Sequence, residues 1–223
     1  MMKNVLPKII EVKTIVGVKP VTLRVYDDMI GKIIVSGRMW ESGFLKESLK
    51  YMRKGKKTVV FDCGANIGNH SIFWARFVKK VVSVEALPDT FGILKFNLEK
   101  NFNNAFAVHG VLSDKSGDNF RPEYNSGNMM GCYFEPDKDG PIKSITLNEI
   151  MVDGGDFVKI DVEGDEIKVL MGGDIVLPKF KPFLAIEIHR VGDREKLLDI
   201  LKRYGYDPSD FVIKGHGSEK WRE

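Results

Sequence analysis

Only two cysteines, Cys63 and Cys132, and only four histidines occur in 223 residues. Two thiols with no short spacing between them build neither a zinc site nor a disulfide framework, so a reduced, cytoplasmic setting is expected. No apolar run approaches the roughly twenty residues of a membrane span, and the first residues lack the apolar core of a signal peptide. No charge of one sign dominates, since 34 basic and 31 acidic residues leave a formal +3. That balance gives no reason to expect nucleic acid as a partner. There is no internal repeat. What remains, 43% hydrophobic and 29% charged residues, is the composition of a soluble globular chain long enough for one large domain.

The chain is organised around residues 59–71, V-V-F-D-C-G-A-N-I-G-N-H-S. Val59, Val60 and Phe61 form a short apolar run that suits a strand buried on both faces. Asp62 ends it, Gly64 and Gly68 follow at a spacing of four, and from Ile67 the apolar residues take a helical period. A strand, a glycine turn and a helix make half of a nucleotide-binding crossover, with N–H groups at the helix start and missing Cβ atoms admitting a ligand. A dinucleotide fingerprint needs a glycine where Asp62 stands. A carboxylate there repels a pyrophosphate but accepts hydrogen bonds from a cationic amino-acid end, the demand of S-adenosylmethionine. The plainer alternative is a tight turn with an Asp helix cap. A second strand, Val81-Val82-Ser83-Val84, ends in Glu85, placed to bind both hydroxyls of a ribose.

Residues 1–55 read as an N-terminal extension packed on a core domain of residues 56–223. Residues 9–26 alternate loosely about a turn at 17–20 and predict a hairpin, Ile33-Ile34-Val35 a further strand, and Phe44, Leu45, Leu49 and Met52 a helix. Arg53, Lys54, Lys56 and Lys57 suit a helix C-terminus, with a nucleic-acid patch as the sharper alternative. Pro88 opens a helix to about Lys100, and residues 105–112 read as the third strand, ending in Ser113-Asp114. Residues 115–141, rich in Gly, Pro and Asn, are too long for an ordinary connection and read as a lid or substrate wall, against a plain surface hairpin. A fourth strand (157–160) closes in D-V-E-G-D-E, and a fifth (183–186) in E-I-H-R. An amphipathic helix over 194–204 and a strand at 211–214 complete an α/β, doubly wound, Rossmann-like fold.

The polar residues fall together. Asp62, Glu85, Asp114, Asp161, Glu163, Glu187 and His189 all stand at the carboxyl ends of the predicted strands, the ligand crevice of an open parallel sheet. The first three strands face a nucleotide, so Asp62, Gly64, Ala65, Asn66, Gly68, Glu85, Ala86, Ser113 and Asp114 are the cofactor candidates, with Asp161 at their border. The last two face the co-substrate, so His189, Asp161, Glu163 and Glu187 are candidates for chemistry. His189 has the residue type to take a proton near neutrality. Its alternative is a hydrogen-bonded histidine at a strand end. No residue is assigned to a metal, although Asp161 and Glu163 have the oxygen donors to hold a hard cation or to anchor a substrate. Alternation places those two on one side.

Six stretches resemble the FkbM family of S-adenosylmethionine-dependent methyltransferases: G-R-M-W-E-S-G-F from Gly37, the Val59 stretch, V-V-S-V-E-A-L-P from Val81, V-L-S-D-K-S-G from Val111, F-V-K-I-D-V-E-G-D-E-I-K-V-L from Phe157 and F-L-A-I-E-I-H-R from Phe183. The resemblance implies a class I methyltransferase fold, with a mostly parallel seven-stranded sheet whose last strand is antiparallel. It implies S-adenosylmethionine as cofactor and methyl transfer to an oxygen, commonly a hydroxyl of a sugar or other small metabolite. The competing readings are an RNA methyltransferase, a non-catalytic cofactor-binding module and, last, a nicotinamide dehydrogenase.

Overall fold

A computed structural model describes residues 8–16, 19–52, 57–124 and 132–215. The chain opens with an antiparallel pair, β1 (Ile9–Val16) and β2 (Lys19–Tyr26), then α1 (Met29–Val35) and α2 (Ser42–Ser48). The crossover core begins with β3 (Val59–Cys63), α3 (Asn69–Trp74), β4 (Lys80–Glu85), α4 (Pro88–Asn101) and β5 (Ala105–His109). A smaller sheet follows, from β6 (Val111–Leu112), β7 (Asn119–Tyr124), β8 (Cys132–Pro136) and β9 (Ile142–Ile145). Then come α5 (Leu147–Ile150), β10 (Phe157–Ile160), α6 (Glu166–Met171), α7 (Val176–Phe180), β11 (Phe183–Ile188), α8 (Asp193–Arg203) and β12 (Phe211–Gly215).

The main sheet has the order β12-β11-β10-β3-β4-β5, and every pair in it is parallel. Among the described residues it therefore has six strands, not seven, and the last of them is parallel rather than antiparallel. Chain order reverses between β3 and β10, so the two half-sheets meet there and the crevice opens above their carboxyl ends. Side chains alternate across the sheet. Val60 and Phe157 join Trp74, Leu94 and Leu98 on one face, whereas Val158 and Ile160 join Leu147, Leu177 and Leu201 on the other.

The N-terminal pair is fixed to the core by two asparagines. Asn97 Oδ1 accepts from Arg24 N and its Nδ2 donates to Arg24 O; Asn101 repeats the pattern on Thr22 N and O. Four residues of helix rise about 6 Å and two residues of strand about 6.6 Å, so amides one turn apart on α4 match alternate residues of β2. In effect α4 supplies the missing strand to an edge that would otherwise be left unpaired.

Local chemistry overrides pattern in two places. Ile33-Ile34-Val35 lies in α1, not a strand, because the Asp28 side chain caps the helix by accepting from Gly31 N at 2.7 Å. The predicted strand over 105–112 ends at His109, and beyond Gly110 the chain turns away to pair with β9. A Cβ on Gly110 would lie 3.1 Å from the Lys143 carbonyl oxygen. Residues 115–141 contain the antiparallel pair β7–β8, so this segment is hairpin in construction; its residues 125–131 lie outside the described ones, as do Arg53, Lys54 and Lys56 of the basic cluster and residues 17 and 18 of the first turn. No helix of the described residues is long and apolar enough to cross a membrane.

Candidate active site

After β3 the chain turns through Gly64 (φ 79), Asn66 (φ 51) and Gly68 (φ 92). A Cβ at Gly64 would lie 1.8 Å from the Asp161 carbonyl oxygen, so glycine lets this turn press against the one following β10. The turn also uses its own donors. Gly64 and Ala65 N–H groups donate to the Val84 carbonyl, Gly68 N–H to that of Ala65, Asn66 N–H to Glu85 Oε2, and Ile67 N–H to the Asn66 side chain. The N–H groups of residues 64–68 are thereby spent within the fold rather than left free. The glycines admit neighbouring backbone and side chains, and the donors close the turn itself.

Above the turn lies a cleft of about 150 Å³, open to solvent at its mouth. Gly64, Asn66, Glu85, Ala86, Asp161 and Glu163 of the sequence candidates line it. Sequence reasoning missed Tyr26, brought in by β2, Asp28, the cap of α1, and Cys132 and Phe134, brought in by β8. Tyr26 hydroxyl lies 3.2 Å from the Thr90 hydroxyl, which ties the N-terminal pair to the cleft wall. Among the described residues every charged side chain of the lining is a carboxylate: Asp28, Glu85, Asp161, Glu163 and Asp165.

Other sequence candidates stand elsewhere. Asp62 is fully buried, accepts from Ser71 Oγ at 2.5 Å and faces Lys159 Nζ at 3.4 Å. Ala65 and Gly68 lie beneath the turn, where a Cβ on Gly68 would come 2.9 Å from Leu94. Ser113 and Asp114 do not line the cleft, although Val111 and Leu112 of β6 do; Ser113 packs instead against Gly172, whose Cβ would lie 2.1 Å from the Ser113 carbonyl oxygen. The signal was Gly110, since a lone glycine in a strand pattern marks a bend.

Behind the cleft wall the carboxylates converge on one imidazole. His189 Nδ1 lies 2.9 Å from Glu166 Oε1, and Nε2 lies 3.5 Å from Asp161 Oδ1, 3.7 Å from Glu163 Oε2 and 4.0 Å from Glu187 Oε1. Asp161 and Glu163 do share a side, but the chain reaches it through left-handed Glu163 (φ 57) and Gly164 (φ 111) rather than by plain alternation. Glu166, 1% exposed and missed from sequence, also accepts from Gly164 N. Burial lowers the His189 pKa, but the Glu166 hydrogen bond and the Asp161 and Glu163 charges outweigh it and raise the value to about 9. Donor atoms of Asp161, Glu163 and His189 lie within 4.8 Å of one another, close enough for a single cation; an imidazolium supplies the same charge. At the far side, burial pushes Glu85 up to about 7, against N–H donation from Leu87 and Asn66.

Residues 62–208 match the family described as Methyltransferase FkbM domain. A hexuronic acid methyltransferase, AglP, of Haloferax volcanii is 31% identical over 149 residues, covering 64% of this chain and 61% of the relative; the chain thus spans less than two thirds of it. Among solved structures, an FkbM methyltransferase from Methylobacillus flagellatus KT is 22% identical with a TM-score of 0.49, covering 69% of this chain and 39% of that one. A precorrin-6y C5,15-methyltransferase from Geobacter metallireducens GS-15 is 17% identical with a TM-score of 0.49, at 74% and 71%. With the greater part of its length matched to the family, including the glycine turn and the D-V-E-G-D-E turn that frame the cleft, this chain belongs to the FkbM methyltransferase family.

Proposed function

We propose that the protein transfers a methyl group from S-adenosylmethionine to a hydroxyl of a sugar or other small metabolite. The observation that carries this reading is the charge of the cleft, whose lining among the described residues holds five carboxylates and no cationic side chain. A dinucleotide brings a pyrophosphate, which such a lining repels, and residues 64–68 of the turn spend their N–H groups within the fold. S-adenosylmethionine brings a sulfonium, an ammonium and no phosphate, and the donor set fits it. Glu85 would hold the ribose hydroxyls, and Tyr26, Leu87 and Phe134 would flank the base. Asp161 and Glu163 would face the cationic end. When bound, the cofactor supplies an electrophilic methyl group on its sulfonium.

The chain's own residues then orient the acceptor and take its proton. Asp161, Glu163 and Glu187 would accept hydrogen bonds from acceptor hydroxyls, and His189 Nε2, the ring nitrogen facing them, would receive the proton of the attacking one. Holding two reactants in line contributes on the order of 7–11 kcal/mol, so positioning outweighs the base. Methylation of a hexuronic acid, named for the Haloferax volcanii relative, is the first acceptor to try within this class. Methyl-labelled S-adenosylmethionine would be incubated with the protein and a panel of neutral sugars, amino sugars and hexuronic acids, with calorimetry of S-adenosylmethionine and NAD alongside. Labelled product and tighter S-adenosylmethionine binding are expected; NAD binding the tighter of the two would overturn the assignment.

A further inference from the structure

We propose that Lys159 is a positioning residue for methyl transfer, acting through Asp161 and the Gly64 carbonyl rather than on the reacting atoms. This rests on the reading just given. Lys159 is on the β10 face that Phe157 shares with the core, yet it is a lysine and 1% exposed. An ammonium so buried is retained only where acceptors surround it. Three do. Nζ lies 3.1 Å from Asp161 Oδ2, 3.4 Å from Asp62 Oδ1 and 3.2 Å from the Gly64 carbonyl oxygen, to which it donates. Burial lowers its pKa, but the Asp161 and Asp62 charges override this and keep the lysine charged.

These contacts span the place where the half-sheets meet. Lys159 and Asp62 are register partners across β10 and β3, so the pair is set by strand pairing and not by a flexible loop. Asp161 divides its oxygens: Oδ2 goes to Lys159, and Oδ1 points to His189 Nε2 at 3.5 Å. The lysine thus holds one oxygen and leaves the other for the site. Its third contact pins the glycine turn, whose Gly64 touches the Asp161 backbone. Asp62 then has a task that its complete burial permits. Its Oδ1 receives no hydrogen bond and serves as the counter-ion that keeps Lys159 in place.

The test compares Lys159→Met, Asp161→Asn and the double variant in two readouts. The first is turnover. A misplacement of the kind expected lowers kcat about a hundredfold in Lys159→Met, and Asp161→Asn added to it costs less than about threefold more, because both changes remove one arrangement. Effects that multiply in full would overturn the proposal, since a lysine that merely holds the core together leaves the Asp161 contribution intact. The second readout needs no turnover and separates failure here from failure of the methyltransferase reading. It is the pair of His189 ring ¹⁵N signals, faced by Asp161, Glu163 and Glu187 at Nε2 and by Glu166 at Nδ1. Lys159→Met moves them as Asp161→Asn does, and the double variant moves them no further. Signals unchanged in Lys159→Met but moved in Asp161→Asn would overturn the proposal. Should Lys159→Met not fold, Asp62→Asn/Lys159→Met removes the charge pair together and keeps the interior neutral, and it is read in the same way.

Discussion

His189 shows how one residue ties rate and stability to the same titration. It must be neutral to accept a proton, and its pKa is raised to about 9, so kcat should climb as pH rises and level off only above that value. The His189→Ala variant should lose the limb and roughly a hundredfold to ten-thousandfold of turnover, with cofactor affinity little changed, as a pH–rate series and calorimetry would show. Stability runs the other way. A histidine whose folded pKa exceeds the ordinary 6.5 contributes fully below 6.5 and loses that contribution as pH rises through about 9. Urea midpoints should therefore fall over the range in which turnover rises. The sequence showed that acids gather about His189, and hence the upward direction. It did not show Glu166, because an acid at the first position of a helix reads as a dipole partner until burial is known.

At the level of elements, legibility followed how local the cause was. Strands ending in acids, the Pro88 helix and the glycine turn are written in adjacent residues, and all are present. The direction in which each acid points depends on what packs above it. Asp62 and Asp161 look alike in sequence, yet one is sealed by Ser71 and Lys159 and the other opens to the cleft. The asparagine ladder was equally hidden, since Asn97 and Asn101 read as ordinary polar positions of a helix. Asn97 is completely buried and also donates to the Ile67 carbonyl. Truncation to alanine strands the Arg24 N–H and carbonyl and the Ile67 carbonyl, so Asn97→Ala should cost about 1–3 kcal/mol or more. Chemical denaturation measures that loss, and hydrogen exchange should place it in β2. Loss spread evenly through the core would contradict the ladder's role.

Across the whole molecule, one buried charge cluster links the first helices to the last strand. Lys214 of β12 pairs with Glu41 at 2.5 Å and with Glu187 of β11 at 3.0 Å, and Glu41 also faces His70 of α3 at 3.3 Å. Burial pushes the Glu41 pKa up, but His70 and Lys214 outweigh it and bring it from 4.5 down to about 2. A depressed carboxylate contributes above its unfolded value and loses that contribution as pH falls from 4.5 to about 2. On that basis Glu41 carries on the order of 3 kcal/mol of stability at neutral pH. Glu41→Gln should lower the neutral-pH melting temperature and flatten its decline in acid, as calorimetric scans from pH 7 to 2 would reveal. An unchanged acid slope would place the sensitivity in another carboxylate.

The Lys159 contact carries a consequence for the order in which the molecule assembles. Lys159 and Gly64 are 95 positions apart, and the strands they belong to are neighbours at the middle of the sheet. Until β10 arrives, Asp62 faces an apolar interior without its counter-ion; until β3 is in place, the lysine has only Asp161 of its own segment. The first half of the crossover, although written first and locally well specified, should therefore close fully only once synthesis has passed residue 160, since the contact that completes it is long-range.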